Sequence, residues 1–263
     1  MSGPRADGQP EEALGGGSVS AVHRVGATVR RATGPWTGAV HALLAHLATR
    51  GFSAAPRVLG IDERGREVLT YLEGEVAMRP WPSAVRTGDG LVQVGRALRA
   101  YHDAVADFRP PPGAVWRTPD APATGEVIRH GDLGPWNSVW RDGRLVGFID
   151  WDFAEPGSRL EDLAQAAWYF VPLRPDESCR KAGFASPPDR AERLRALCRA
   201  YGGTSAAAVL EAMQRLIATT AERTEHLGAR GVEPWAAFLR RGDLDEFARE
   251  AAWLRSEREA LAR

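Results

Sequence analysis

Residues 129–152 constrain the fold of this chain most strongly, because their turn signal fixes where two polar side chains meet. Two short apolar runs, 138–140 and 145–149, are separated by Arg-Asp-Gly-Arg, and Asp-Gly is a strong hairpin signal. Asn137 precedes the first run and Asp150 follows the second. A hairpin returns both ends to the same place, so we expect both oxygen-bearing side chains to reach one cation.

Asp132 lies in the polar loop before this hairpin, and we expect its side chain to lie close to the cation site formed by Asn137 and Asp150. His130-Gly131-Asp132 alone is typical of an ordinary turn. Together with Asn137 and Asp150, however, Asp132 completes the set that phosphoryl transfer from a magnesium nucleotide needs. The sequence therefore predicts Asp132 as the catalytic base and Asn137 and Asp150 as Mg²⁺ ligands.

The same residues resemble a known family. His130-Gly131-Asp132 with Asn137, then Ile149-Asp150-Trp151 and Asp162-Leu163-Ala164, are similar to the aminoglycoside phosphotransferase and choline kinase family of small-molecule kinases. The resemblance implies an α+β, protein-kinase-like fold of two lobes. In that fold a small N-terminal antiparallel sheet carries one helix, and a larger, mainly helical lobe contains the catalytic hairpin.

We expect a disordered tail at 1–13, because that stretch is rich in Gly, Pro and Glu without periodicity. A nucleotide-binding lobe is then expected at 14–73, and a catalytic and substrate-binding lobe at 74–263. The nucleotide site is expected in the crease between the lobes, where concave sites commonly form.

The N-terminal residues expected to bind nucleotide follow from the resemblance. The stretch 15–18 lacks the GK[ST] ending of a P-loop but resembles the glycine-rich loop that covers phosphates in this fold, which suggests phosphate contacts by Gly16, Gly17 and Ser18. Tyr71 and Glu73 lie in the segment that would present backbone groups to the adenine.

A phosphate-anchoring cation is expected on the third strand, where Arg30 and Arg31 stand next to each other. Strand alternation sends the two side chains to opposite faces, so only one can point into the cleft. We select Arg30, because Val29-Arg30 resembles the end of this strand in the family. In the family a helix glutamate pairs with this cation. The predicted helix 39–50 carries Val40 and His41 at the candidate positions, so the ion pair is absent or replaced.

Composition excludes several classes of protein. The 34 basic and 34 acidic residues balance, so the net charge does not indicate a nucleic-acid-binding protein. No apolar run is long enough for a membrane span. The cysteines, Cys179 and Cys198, fit neither a disulfide framework nor a zinc motif. These features favour a cytoplasmic protein. They do not indicate its oligomeric state.

The sequence therefore predicts an ATP- and Mg²⁺-dependent O-phosphotransferase that acts on a hydroxyl of a small molecule, with GTP as an alternative donor. Resistance to an antibiotic, choline-like metabolism and a biosynthetic tailoring step are all open, and by resemblance alone an antibiotic such as an aminoglycoside is the favoured acceptor. One alternative is a kinase-like binding or immunity protein with little transfer activity, which the missing helix acid supports. A second alternative is a metal-dependent hydrolase that would use His130, Asp132, Asp150 and Asp152.

Overall fold

The computed structural model describes residues 10–15 and 22–263. The chain divides into two compact units. The first comprises the chain up to Met78 together with Arg99–Arg159, and the second comprises Arg79–Leu98 together with Leu160–Arg263. The hairpin of residues 138–148 and the N-terminal sheet thus belong to the same unit. The lobe boundary after residue 73 stays a prediction.

The strands of the described residues all lie in the first unit and pair antiparallel in three sheets. They are β1 Glu12–Leu14, β2 Val22–Val25, β3 Thr28–Ala32, β4 Val58–Ile61, β5 Arg66–Thr70, β6 Glu75–Val76, β7 Val127–Arg129, β8 Ser138–Arg141, β9 Arg144–Phe148 and β10 Glu155–Gly157. The strand orders are β1-β2-β3-β5-β4, β6-β8-β9 and β10-β7. Strand β3, which carries Arg30 and Arg31, therefore has a paired strand on each side, β2 and β5.

Helix α1, Thr37–Thr49, belongs to the first unit. Its apolar residues recur at helical spacing, and Leu43, Leu44 and Leu47 are fully buried, as the sequence predicts for 39–50. The helix contacts β4 and the short 3-10 turn Trp151–Phe153 that follows Asp150. It therefore joins the five-stranded sheet to the segment behind the hairpin.

The remaining helices build most of the second unit. They are α2 Ser83–Arg86, α3 Gly88–Val105, α4 Arg159–Phe170, α5 Asp176–Lys181, α6 Arg190–Tyr201, α7 Ala206–Ala229, α8 Trp235–Arg241 and α9 Asp243–Ala262. Helix α9 packs against α6, α7 and α8. Its buried Glu250 accepts hydrogen bonds from Trp168 and Arg174, which ties α9 to the end of α4. No helix in the described part of the chain is both long and apolar enough to cross a membrane.

The structure differs from the sequence-based expectation at three places. Residues 12 and 13, assigned to the disordered tail, belong to β1, where Ala13 pairs with His23. Residues 1–9 lie outside the described residues. The sequence of 174–188 predicts a loop, but this stretch contains α5, whose first turn is acidic and last turn basic, as helix termini favour. The sequence of 234–261 predicts a largely helical stretch, but it forms two helices, because the backbone leaves the helical region at Gly242.

Candidate active site

The loop after β7 is fixed by the fully buried His130. The backbone N–H of Asp132 donates to His130 Nδ1 at 3.3 Å, and His130 Nε2 lies 3.1 Å from the carbonyl oxygen of Ile149. These contacts require the tautomer with its proton on Nε2. The ring also packs 4.4 Å from the ring of Trp151, between centroids. His130 thus joins the Asp132 loop to the chain on both sides of Asp150.

Gly131 cannot be replaced without movement of the backbone. Its φ is +80°, in the region that favours glycine, and a Cβ at this position would overlap the carbonyl oxygen of Phe153. This close approach brings the Asp132 loop against the turn that follows Asp150.

Asp132 is held through one oxygen of its carboxylate. Asn137 Nδ2 donates to Asp132 Oδ2 at 2.7 Å and to its carbonyl oxygen at 2.9 Å, and Trp136 Nε1 donates to Oδ2 at 3.3 Å. Burial and the nearby negative charge of Asp150 raise the pKa of Asp132 to about 7, against the opposing hydrogen bonds of Trp136 and Asn137. A carboxylate with this proton affinity is suited to accept a proton near neutral pH.

The hairpin has the predicted geometry. Strands β8 and β9 are joined by Asp142-Gly143, both with positive φ, and Ser138 pairs with Phe148 at the open end. The backbone N–H of Ile149 donates to the carbonyl oxygen of Asn137 at 2.9 Å. Asn137 and Asp150 therefore return to the same place, and the hydrogen bond from Asn137 to the Asp132 carboxylate brings the third side chain to it.

Arg31 is the arginine of β3 that lies beside these residues, whereas Arg30 is the one expected at this place from the sequence. Phosphate binding by either arginine stays a prediction. Arg31 Nη1 donates to Asp150 Oδ1 at 2.8 Å, and Nη2 donates to Asp152. Arg30 instead donates to Thr28 Oγ1 at 2.6 Å and has its Nε 3.7 Å from Asp62 Oδ2. Adjacent strand residues face opposite sides of a sheet, and the pairing of β3 with β5, not the local sequence, decides which arginine reaches Asp150.

The carboxylate that pairs with Arg31 comes from the sheet. Glu67 on β5 stands opposite Arg31 in the β3–β5 pairing and accepts from its Nε. His41 of α1 contacts the other oxygen, with 2.8 Å between Nε2 and Oε2. The ion pair is thus replaced rather than absent. Burial acts to lower the pKa of Arg31, but the carboxylates of Asp152, Asp150 and Glu67 raise it, so the guanidinium stays charged.

Arg117 is a site residue that sequence reasoning missed. Its Nη1 donates to Asp152 Oδ2 at 2.8 Å, and its guanidinium lies 4.5 Å from the ring centroid of Trp36 and 4.7 Å from that of Phe153. It belongs to the proline-rich stretch 108–122, which has no periodicity. No sequence signal distinguishes it from a solvated arginine.

The other predicted nucleotide contacts lie in the glycine-rich stretch and in the segment after β5. Gly16, Gly17 and Ser18 lie outside the described residues. The backbone N–H of Tyr71 donates to the carbonyl oxygen of Ala27 at 2.9 Å, and Arg24 covers the Tyr71 ring and bonds Glu73 Oε1 at 2.8 Å. These contacts fix the chain after β5 against the β2–β3 turn. Binding of a nucleotide by Tyr71 and Glu73 stays a prediction.

The geometry of His130 and Asp152 does not support the interpretation as a metal-dependent hydrolase. Both ring nitrogens of His130 are used within the protein, and Asp152 is held by Arg31 and Arg117. Among residues 10–15 and 22–263, no group of three or more His, Cys, Asp or Glu side chains could hold a metal ion.

A family model described as "Phosphotransferase enzyme family" matches residues 30–122 and 113–197. The trifolitoxin immunity protein of Rhizobium leguminosarum bv. trifolii is 42% identical over 198 residues, which are 73% of this chain and 74% of that protein.

Solved structures show the same fold. A choline/ethanolamine kinase family protein from Mesorhizobium loti superposes with a TM-score of 0.56 at 21% identity, over 95% of this chain and 93% of that one. The GDP and kanamycin complex of APH(2")-IIia gives a TM-score of 0.51 at 12% identity, over 96% and 94%. The predicted α+β, protein-kinase-like fold class is confirmed, with an N-terminal antiparallel sheet and a larger helical part.

Proposed function

Because the chain belongs to the phosphotransferase enzyme family, we propose that it transfers a phosphoryl group from Mg-ATP to a hydroxyl group of a small molecule. One observation carries this proposal: Asp132, Asn137 and Asp150 meet at one place, with the cation of Arg31 beside them. A proton acceptor, oxygen donors for a metal and an anchor for phosphate are the parts that such a reaction needs.

The donor set fits a magnesium ion. Mg²⁺ in nucleotide sites uses one or two carboxylates together with phosphate oxygens and water. Asn137 turns its Nδ2 to Asp132, which leaves Oδ1 as the atom that can bind a cation, and the side chain of Asp150 is 44% exposed. Asn137 and Asp150 would hold the ion, whose charge would offset that of the phosphates.

Asp132 and Arg31 would have the two other roles, acceptance of a proton and binding of phosphate. Asp132 Oδ2 accepts from Asn137 and Trp136, so Oδ1 is the oxygen that can take the proton of the acceptor hydroxyl. Arg31 directs both terminal nitrogens toward the site and would bind phosphate oxygens, as arginine does with two donors.

We infer that the acceptor is of the antibiotic class. The relative from Rhizobium leguminosarum is named for immunity to trifolitoxin, and APH(2")-IIia was solved with kanamycin. ATP is the proposed donor, and the GDP in that complex makes GTP the second donor to test. A cytoplasmic location is proposed because ATP and magnesium are supplied there.

A coupled nucleotide-consumption screen tests this function. Aminoglycosides, macrolides, nucleoside antibiotics and amino alcohols would each be offered with ATP or GTP, and products examined by mass spectrometry. We expect one class to give a phosphorylated product, and we expect Asp132→Asn to lower its turnover by about 10² or more with nucleotide affinity retained. Transfer by the variant at the wild-type rate would exclude Asp132 as the base.

A second candidate function is immunity by binding, without transfer. It is favoured by the name of the 42% identical relative and by the ion pair in which Arg31 holds Asp150, a predicted metal ligand. If the protein sequesters a toxin, the Asp132→Asn variant should protect sensitive cells as well as the wild type does. Loss of protection in a stably folded, Asp132-substituted protein would favour transfer.

A further inference from the structure

The guanidinium of Arg31 uses different nitrogens for the candidate site and for the sheet. Nη1 and Nη2 donate to Asp150 and Asp152, whereas Nε donates to Glu67. Glu67 stands directly opposite Arg31 in the β3–β5 pairing, so this contact comes from within the sheet. A phosphate that takes the terminal nitrogens would leave the Nε contact intact. Glu67 can therefore hold the arginine in place both before and after the terminal nitrogens change partners.

Glu67 is itself held from a second element. It is only 2% exposed, and a buried carboxylate is costly unless both oxygens find partners. Oε1 accepts a hydrogen bond from Arg31 Nε, and Oε2 lies 2.8 Å from His41 Nε2 on α1. Because the carboxylate that pairs with Arg31 lies on β5, helix α1 supplies a histidine that contacts this carboxylate and needs no glutamate of its own.

We propose, on the basis of the phosphotransferase function above, that Glu67 is the positioning residue that orients Arg31 toward the phosphates of the nucleotide. In this arrangement His41 holds Glu67 from α1, and the His41–Glu67–Arg31 series links the helix to the nucleotide site. Glu67 acts through Arg31 and does not contact the reacting groups.

A purely structural role for Glu67 makes a different prediction. A buried ion pair can simply stabilise the sheet, and its loss would then weaken nucleotide binding whether or not Arg31 is present. A positioning role requires that the effect of changing Glu67 vanish once Arg31 is gone. A double-mutant cycle separates the two.

The cycle uses calorimetric affinity for Mg-ADP, which needs no acceptor. We expect Glu67→Gln and Arg31→Met each to weaken binding about tenfold or more, and the double variant to match Arg31→Met within about twofold. Asp62→Asn is the matched control, because Asp62 is also ion-paired on this sheet but bonds Arg66. It should bind Mg-ADP as the wild type does.

Variants of His41 test the link to the helix and keep the proposal testable if Glu67→Gln does not fold. His41→Leu removes the contact to Glu67, and His41→Gln can restore it through an amide nitrogen at a similar reach. We expect the first to weaken Mg-ADP binding several-fold and the second to keep most of the affinity. In the Arg31→Met protein, neither substitution at His41 should change the affinity for Mg-ADP. Equal affinity of the leucine variant and the wild type would overturn the role of His41.

The outcomes separate this inference from the proposed function. Tight Mg-ADP binding by the wild type, with Glu67→Gln no weaker than the Asp62→Asn control, overturns the inference and leaves the phosphotransferase proposal standing. A Glu67→Gln effect that persists at full size without Arg31 also overturns it. If the wild type binds no Mg-ADP, both proposals fail.

Discussion

Arg31 Nη1 lies 2.8 Å from Asp150 Oδ1, although the two residues are 119 positions apart in the chain. Arg31 belongs to the five-stranded sheet, and Asp150 follows the β8–β9 hairpin. The contact therefore joins a proposed phosphate anchor to a proposed metal ligand. In these proposed roles both side chains would contact the nucleotide or its metal ion, so the ion pair would have to separate or share those partners.

The neighbouring arginines of β3 provide a matched test of which one binds phosphate. Arg31→Met should weaken Mg-ATP binding about tenfold or more, because it removes a guanidinium with two nitrogens directed at the site. Arg30→Met should leave the affinity unchanged, because Arg30 bonds Thr28 instead. Calorimetric titration of both variants checks this. A larger loss with Arg30→Met would return the phosphate anchor to the residue predicted from the sequence.

The raised pKa of Asp132 predicts how stability depends on pH. Its pKa is about 7 in the folded protein against an ordinary 3.8. Between these values the unfolded chain releases the proton while the folded protein keeps it, so the wild type loses stability as pH rises. Asp132→Asn cannot ionise. In magnesium-free buffer with chelator, its free energy of unfolding relative to the wild type should rise from pH 4 to pH 7 and then level off.

Chemical denaturation at a series of pH values measures this difference. A constant difference between the two proteins across the range would show that Asp132 keeps an ordinary pKa in the folded state.

Two glycines with similar values of φ should differ in their tolerance of alanine. Gly131→Ala should lower the free energy of unfolding by about 3 kcal/mol or more, because the added Cβ overlaps the carbonyl oxygen of Phe153. At Gly143, where φ is +75°, an added Cβ meets nothing within 4 Å. Gly143→Ala should therefore cost only about 1 kcal/mol of backbone strain. Urea unfolding of both variants measures the two costs, and equal costs would contradict the close approach at Gly131.

The local parts of the site could be predicted from the sequence because short-range chemistry decides them. The Asp142-Gly143 turn determines that β8 and β9 form a hairpin, and the hairpin determines that Asn137 and Asp150 meet. The helix α1 was predicted because its apolar residues recur at one period.

The parts of the site that the sequence did not reveal depend on pairing between distant segments. Which of Arg30 and Arg31 faces the site depends on the register of β3 against β5. Glu67 became the partner of Arg31 through the same register, and nothing in its own neighbourhood in the sequence marks it. Arg117 comes from an irregular segment whose course only tertiary packing determines. Long-range contacts of this kind leave no periodic signal in a single sequence.

In the function proposed above, Asn137 and Asp150 would hold a magnesium ion that offsets the charge of the nucleotide's phosphates. Titration of ADP into the wild type and into Asp150→Asn, each with Mg²⁺ and with chelator, tests it most directly. Asparagine tolerates the left-handed backbone of residue 150, where φ is 58°, so the variant removes the charge with little strain. We expect magnesium to tighten binding to the wild type only. Equal ADP affinity of the wild type with Mg²⁺ and with chelator would contradict the claim.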